Sequence, residues 1–158
     1  MLSILVAFAV RCLLVALFLP FSVLDKILNF GGAVDQAEEA IPNRWIATTL
    51  IIGGLGVEFV MSAAILAGIA DRLAALVLAV YCLATALLWK QFWTESDFRL
   101  KGISVGREVF WDFLKNLALT GGFLLLAFGS DAAGVRRFFI HPLASSHPYE
   151  AGHASHEQ

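Results

Sequence analysis

The stretch FWDFLKNLALTGGFLLLAFG, residues 110–129, decides how the rest of the chain is read. Its second half is Leu, Ala, Gly and Phe. Its first half carries Asp112, Lys115 and Asn116. At about 20 apolar residues per crossing, the whole stretch is long enough to span a bilayer. It spans only if the two charges and the amide face protein or water instead of lipid. Residues 112, 115, 116 and 119 are spaced three or four apart, so on a helix they share one broad face. The spacing therefore predicts a helix whose charged half looks inward and whose oily half is the anchor.

Three further blocks have the same character. Leu2 to Leu24 is interrupted only by Arg11, Trp45 to Ala70 only by Glu58, and Leu73 to Trp89 is uncharged. The chain of 158 residues is 59% apolar and only 15% charged, with a mean hydropathy of +0.77. A water-soluble domain is closer to about 45–50% apolar and 25% charged. A chain of this length encloses too little interior to hide nearly every face of every helix. No segment alternates apolar and polar residues, which argues against strands and a membrane barrel. The predicted fold is all-α, an integral membrane four-helix bundle running up-down-up-down. Its helices cover about 2–30, 45–70, 72–93 and 109–130 within a domain 1–139, joined by loops at 31–44 and 94–108. The first block lacks a basic leader and carries Arg11 inside its apolar run, so it reads as a retained helix and not a cleaved signal.

All four tryptophans, Trp45, Trp89, Trp93 and Trp111, fall at helix ends on the side of the long loops. Tryptophan favours the half-wet interfacial layer, which supports this alternation. Four spans put both termini on one side. A Lys/Arg count places the long loops inside, whereas the compact Arg136–Arg137 pair argues for the opposite end, and orientation stays open. Net charge is −2, so nucleic acid is not a natural partner. The two cysteines, Cys12 and Cys82, lie within separate helices and form no C-x-x-C pair, which suits packing. Segment 94–109 interleaves Phe98, Leu100, Ile103 and Val105 with charges, as either a surface-lying amphipathic piece or a plain loop.

A charge at mid-bilayer costs roughly 2.5–3.5 kcal/mol on insertion scales. Such residues face the bundle interior and find partners. At 1.5 Å per residue, Arg11 lies about 13–14 Å above the start of the first helix. Glu58, on the antiparallel second helix, lies about 10–11 Å above the same face of a core about 30 Å thick. Those heights predict an Arg11–Glu58 ion pair. Asp112 and Lys115, with Asp25 and Lys26, predict a second polar layer beneath the long loops. Gly53, Gly54, Gly56, Ala64, Gly68, Ala118 and Gly122 would let helices approach closely. The candidate intramembrane polar site is thus Arg11, Lys26, Glu58, Asp112, Lys115 and Asn116, as either structural glue or a quinone, proton or substrate site.

The tail, 140–158, holds His141, His147, His153 and His156. Histidines of this kind can ligate zinc, copper or nickel. Their irregular spacing, among Pro142, Pro148, Gly152 and several serines, favours a flexible solvated tail over a metal site. No P-loop, dinucleotide-binding glycine pattern, H-E-x-x-H or G-x-S-x-G motif is present.

The residues resemble a known family. FLKNLALTGGFLLLAFG, 113–129, looks like the fourth-helix signature of DoxX family membrane proteins, a Lys-Asn pair ahead of an apolar Gly-Gly run. RCLLVALFLPFSVLDKILNF, 11–30, is similar to that family's opening arginine, hydrophobic stretch and lysine. LGVEFVMSAAILAG, 55–68, resembles its glutamate ahead of a small-residue run. The likeness covers about residues 8–130. Where the family often has glycine before the lysine, this chain has Pro20 and Ser22. The resemblance implies a four-helix protein of the bacterial inner membrane. It implies an accessory or anchor subunit of a membrane redox complex, of thiosulfate:quinone or thiol-stress type, with a redox protein as partner. It carries family functional positions onto Arg11, Lys26, Glu58, Lys115 and Asn116. A quinone is the one cofactor it suggests. Two alternatives stand beside it: a quinone-handling, proton-relaying enzyme subunit, and a small transporter or metal-handling protein, for which assembly into a homo-oligomer would be needed to alternate access.

Overall fold

The computed structural model describes residues 1–149. It is helical throughout, with no strand among the described residues. Helix α1 (Leu2–Val15) is followed by an irregular stretch, Leu17–Ser22, and by the short α2 (Val23–Leu28). Then come α3 (Phe30–Ala40), α4 (Arg44–Ala67), α5 (Asp71–Trp89), α6 (Val105–Phe128) and α7 (Ala132–Ile140). Four segments are long and apolar enough to cross a membrane: Leu2–Leu28, Arg44–Ala67, Asp71–Thr94 and Val105–Phe128. They form the expected four-helix bundle.

The centre of the bundle is α5. Its Ala74, Ala75, Leu78, Ala79, Cys82 and Ala86 are buried, and all but Ala86 cluster with Phe123 and Ala127 of α6, Ile65 of α4, Val15 at the end of α1 and Phe18 just beyond it. Alanine dominates that face because helices in lipid associate through close packing of small side chains. Gly122 on α6 serves the same end, since a Cβ there would lie 2.8 Å from a methyl of Leu14. The ends are capped by side chains. Asn43 accepts from the backbone N–H groups of Trp45 and Ile46 at 3.1 and 3.2 Å. Ser104 accepts from Arg107 N–H at 3.2 Å. Helix α4 stops at Gly68, whose φ of 71° suits glycine.

Three features differ from the sequence expectation. The first span is broken, not continuous. Leu19 adopts an extended backbone (φ −118°, ψ 111°) beside Pro20, which has no N–H to give to the helical ladder. Second, the predicted loop 31–44 is mostly helix α3. Val34 and Ala37 are buried against Ala47, with Phe30 and Ile51 alongside. Phe30, Val34 and Ala37 recur at helical spacing, so the acidic residues between them are the wet face of an amphipathic helix. Third, the chain continues as α7 beyond the predicted end of the fourth span, and Ser145, Ser146 and Tyr149 are hydrogen-bonded to the bundle, where a solvated tail was expected. The segment 95–104 is a connecting loop.

Candidate functional site

The broken first span changes which charges meet. The expected Arg11–Glu58 pair does not form. Arg11, 4% exposed, donates from Nη2 to Asp71 Oδ2 at 2.5 Å and from Nη1 to the carbonyl of Ile65 at 2.6 Å. Glu58, 1% exposed, accepts instead from Lys26 Nζ at 2.7 and 3.0 Å and from the Tyr81 hydroxyl at 2.6 Å. Matching depths for Arg11 and Glu58 require a straight first helix, and this one is broken at Leu19 and Pro20. Ile65 lies about 10–11 Å further along α4 than Glu58, so Arg11 is already level with the α4–α5 turn. The break between Val15 and Val23 then brings Lys26 back to the depth of Glu58. Asp71 is an acid at the start of an otherwise apolar helix, and that is the sequence signal for this pair.

The two pairs form separate polar centres. In the first, Arg11 and Asp71 share Ser146: Arg11 Nη2 donates to its Oγ at 2.7 Å, and its backbone N–H donates to Asp71 Oδ1 at 2.9 Å. The Ser146 hydroxyl also donates to Asp71. The neighbouring residues close the end of α4. Ser145 Oγ donates to the carbonyl of Gly68 at 2.6 Å, and the Tyr149 hydroxyl donates to the carbonyl of Leu66. The last carbonyls of a helix lack intrahelical donors, and here Arg11, Tyr149 and Ser145 supply three of them. In the second centre, Lys26 also donates to Ser22 Oγ at 2.6 Å. Its side chain is 18% exposed against 2% for Glu58, so this centre has one opening. Between the two lies the buried Ser62, whose hydroxyl has no hydrogen-bond partner.

The third polar group lies at the long-loop end and is assembled differently from the expectation. Asp112 is shared by Lys115, its neighbour on α6, at 2.5 Å and by Lys90 at 3.2 Å. Lys115 is 68% exposed. Asn116 donates back to the carbonyl of Asp112 at 3.3 Å. Lys26 is absent from this layer, and Asp25 accepts from Asn29 at 2.7 Å. The six candidate residues thus fall into three groups. Asp71, Tyr81, Ser22, Lys90 and Ser146 join them without having been singled out from sequence. His141 and His147 are among the described residues, His153 and His156 lie outside them, and no described group of three His, Cys, Asp or Glu could hold a metal.

Above this layer, Phe92 is ringed by Trp93, Phe98, Phe110 and Phe113 at centroid distances of 5.0–5.4 Å. Asp97 clasps the loop to α6, accepting from the N–H groups of Val105 and Gly106 at 2.7 and 2.9 Å. Those bonds, led by the one from Gly106, hold its carboxyl below the ordinary range. The clasped loop leaves Leu100, Ile103 and Val105 exposed at its edge.

Fold and site together define a polytopic helical membrane protein with two enclosed ion-pair centres. Residues 6–91, more than half of the chain, match the family model for DoxX, and the chain belongs to the DoxX family. The match takes in Arg11, Lys26, Glu58 and Asp71 and stops short of Asp112, Lys115 and Asn116. No curated protein and no solved structure matches the chain.

Proposed function

We propose that this protein is a small bacterial inner-membrane subunit that anchors a partner within a membrane-associated redox complex, of the thiosulfate:quinone or thiol-stress type. One observation carries the reading. The clasped loop 95–104 holds Leu100, 68% exposed, and Ile103, 84% exposed, on a fixed aromatic base. Large apolar groups presented on an ordered surface mark an interaction site. The Arg11 and Glu58 centres, by contrast, already satisfy their charges internally. Purification from native membranes in mild detergent should recover a partner with quinone-reducing activity. Leu100→Asp with Ile103→Asp should release it while the helices stay folded. A chain that never co-purifies with such an activity, or a complex indifferent to both substitutions, refutes the reading.

A second reading rests on the opening beside Lys26. The Tyr81 hydroxyl, the Glu58 carboxylate and the Lys26 ammonium form a continuous hydrogen-bonded relay. Such a relay could pass protons to a quinone held at the lipid-facing side of Lys26. Quinone reduction by the intact complex should then fall with Glu58→Gln and with Tyr81→Phe. Unchanged turnover in both variants eliminates it.

A further inference from the structure

Helix α7 has no part in either reading, yet its placement is fixed. Asp131 caps it by accepting from Gly134 N–H at 2.7 Å. Phe138 is buried and meets Phe128 of α6 edge-on at 5.1 Å. Only Gly129, Ser130 and Asp131 separate the helix from the fourth span. Three residues reach at most about 10 Å, so α7 cannot leave the membrane surface.

Its outer face combines two chemistries. Arg136 and Arg137 are exposed and belong to none of the ion pairs among the described residues. Arg11, Lys26, Arg44, Lys90 and Lys115 are all paired; Arg72, Arg99, Lys101 and Arg107 also stand outside the ion pairs, but none of them is next to a second arginine in the chain. With Ala133, Ile140 and His141, the two arginines border a concavity of about 290 Å³. Beside them Phe139 is 72% exposed, Ile140 56% and Leu143 67%. Bare guanidinium groups next to bare apolar side chains belong at the boundary between headgroups and acyl chains.

We propose that this face of α7 binds the phosphate headgroup of an anionic phospholipid. Arg136 and Arg137 attract the phosphate through their positive charge. Ile140 and Phe139 pack against the upper acyl chains. A free phosphate ion would engage the arginines and leave the apolar flank bare, so the whole surface fits the lipid. Each basic residue near an anionic membrane surface is worth about fivefold in binding, so the pair should give roughly thirtyfold.

The test uses the full chain in nanodiscs of phosphatidylglycerol and phosphatidylcholine, with retained lipid read by native mass spectrometry. The unmodified chain should retain phosphatidylglycerol in preference to phosphatidylcholine. R136Q/R137Q should lower that preference by about thirtyfold. R136K/R137K should keep most of it, and K101Q/R107Q, at the opposite end, should keep all of it. Undiminished preference in R136Q/R137Q overturns the proposal. So does equal loss in the lysine variant or the distant pair. Complete displacement of the lipid by millimolar inorganic phosphate, which would mean an adventitious anion site, also overturns it.

Discussion

Replacing Asp71 by alanine gives the most direct test of the ion-pair arrangement. Asp71 is fully buried and Arg11 is 4% exposed, so the substitution strands a guanidinium in a nearly closed site. Only the Ile65 carbonyl and the Ser146 hydroxyl would then remain to it. Removing one partner of a buried pair costs about 3–5 kcal/mol, because the other charge stays uncompensated. Replacing both, as Arg11→Met with Asp71→Leu, should recover much of that loss, since apolar side chains of similar volume need no partner. The coupling energy of that double-mutant cycle should fall at the upper end of about 0.5–3 kcal/mol. A parallel cycle on Arg11 and Glu58 should be additive within about 0.5 kcal/mol, because the two share no partner and their attachment points on α4 are about 10–11 Å apart. Reversible unfolding of the full chain in mixed micelles, with rising detergent fraction and far-ultraviolet ellipticity as readout, measures all of these. A cost below about 1 kcal/mol for Asp71→Ala, or stronger coupling of Arg11 to Glu58 than to Asp71, would refute the arrangement.

Tyr81→Phe should cost about 1.5–3 kcal/mol in the same unfolding assay, the usual range for a hydrogen bond to a charged group. A stop after Ala144 should remove up to about 5 kcal/mol, at about 1 kcal/mol for each bond made by Ser145, Ser146 and Tyr149. Asp97 predicts acid sensitivity of the 95–104 loop. Its carboxyl is held below its ordinary value of 3.8, so the clasp contributes fully above that pH and is lost as pH falls through the depressed value. Protection of the Gly106 amide, its exchange rate relative to the intrinsic rate at each pH, should hold from pH 6 down and fall only below about pH 4, and Asp97→Asn should abolish that acid-induced change.

The membrane fold was legible because the apolar blocks match the length of a bilayer crossing, and length survives any detail of packing. Burial of Arg11 and Glu58 was legible for a similar reason: hydrocarbon tolerates neither charge without a partner. Their pairing was not, because depth counted along the chain holds only for an unbroken helix. Pro20 carried the warning, since it can end or bend a helix, but nothing local says which way the chain then turns. Helix α3 was obscured by its composition. Asp35, Glu38 and Glu39 suggested a loop, whereas the spacing of Phe30, Val34 and Ala37 already marked one apolar stripe. Tyr81 and Ser146 bear no motif. They are defined only by what folding brings beside them.

The Ser146 contact has a consequence for the order in which the protein is made. Arg11 is synthesised 60 residues before Asp71 and 135 residues before Ser146. At about 5–20 residues per second, the nascent guanidinium waits roughly 3–12 s for its carboxylate and 7–27 s for its final hydroxyl. During that interval it must reach toward the headgroups to stay hydrated. The first helix therefore settles to its final depth only after the third has been threaded, and Ser146 acts as the latch on a step begun with Arg11.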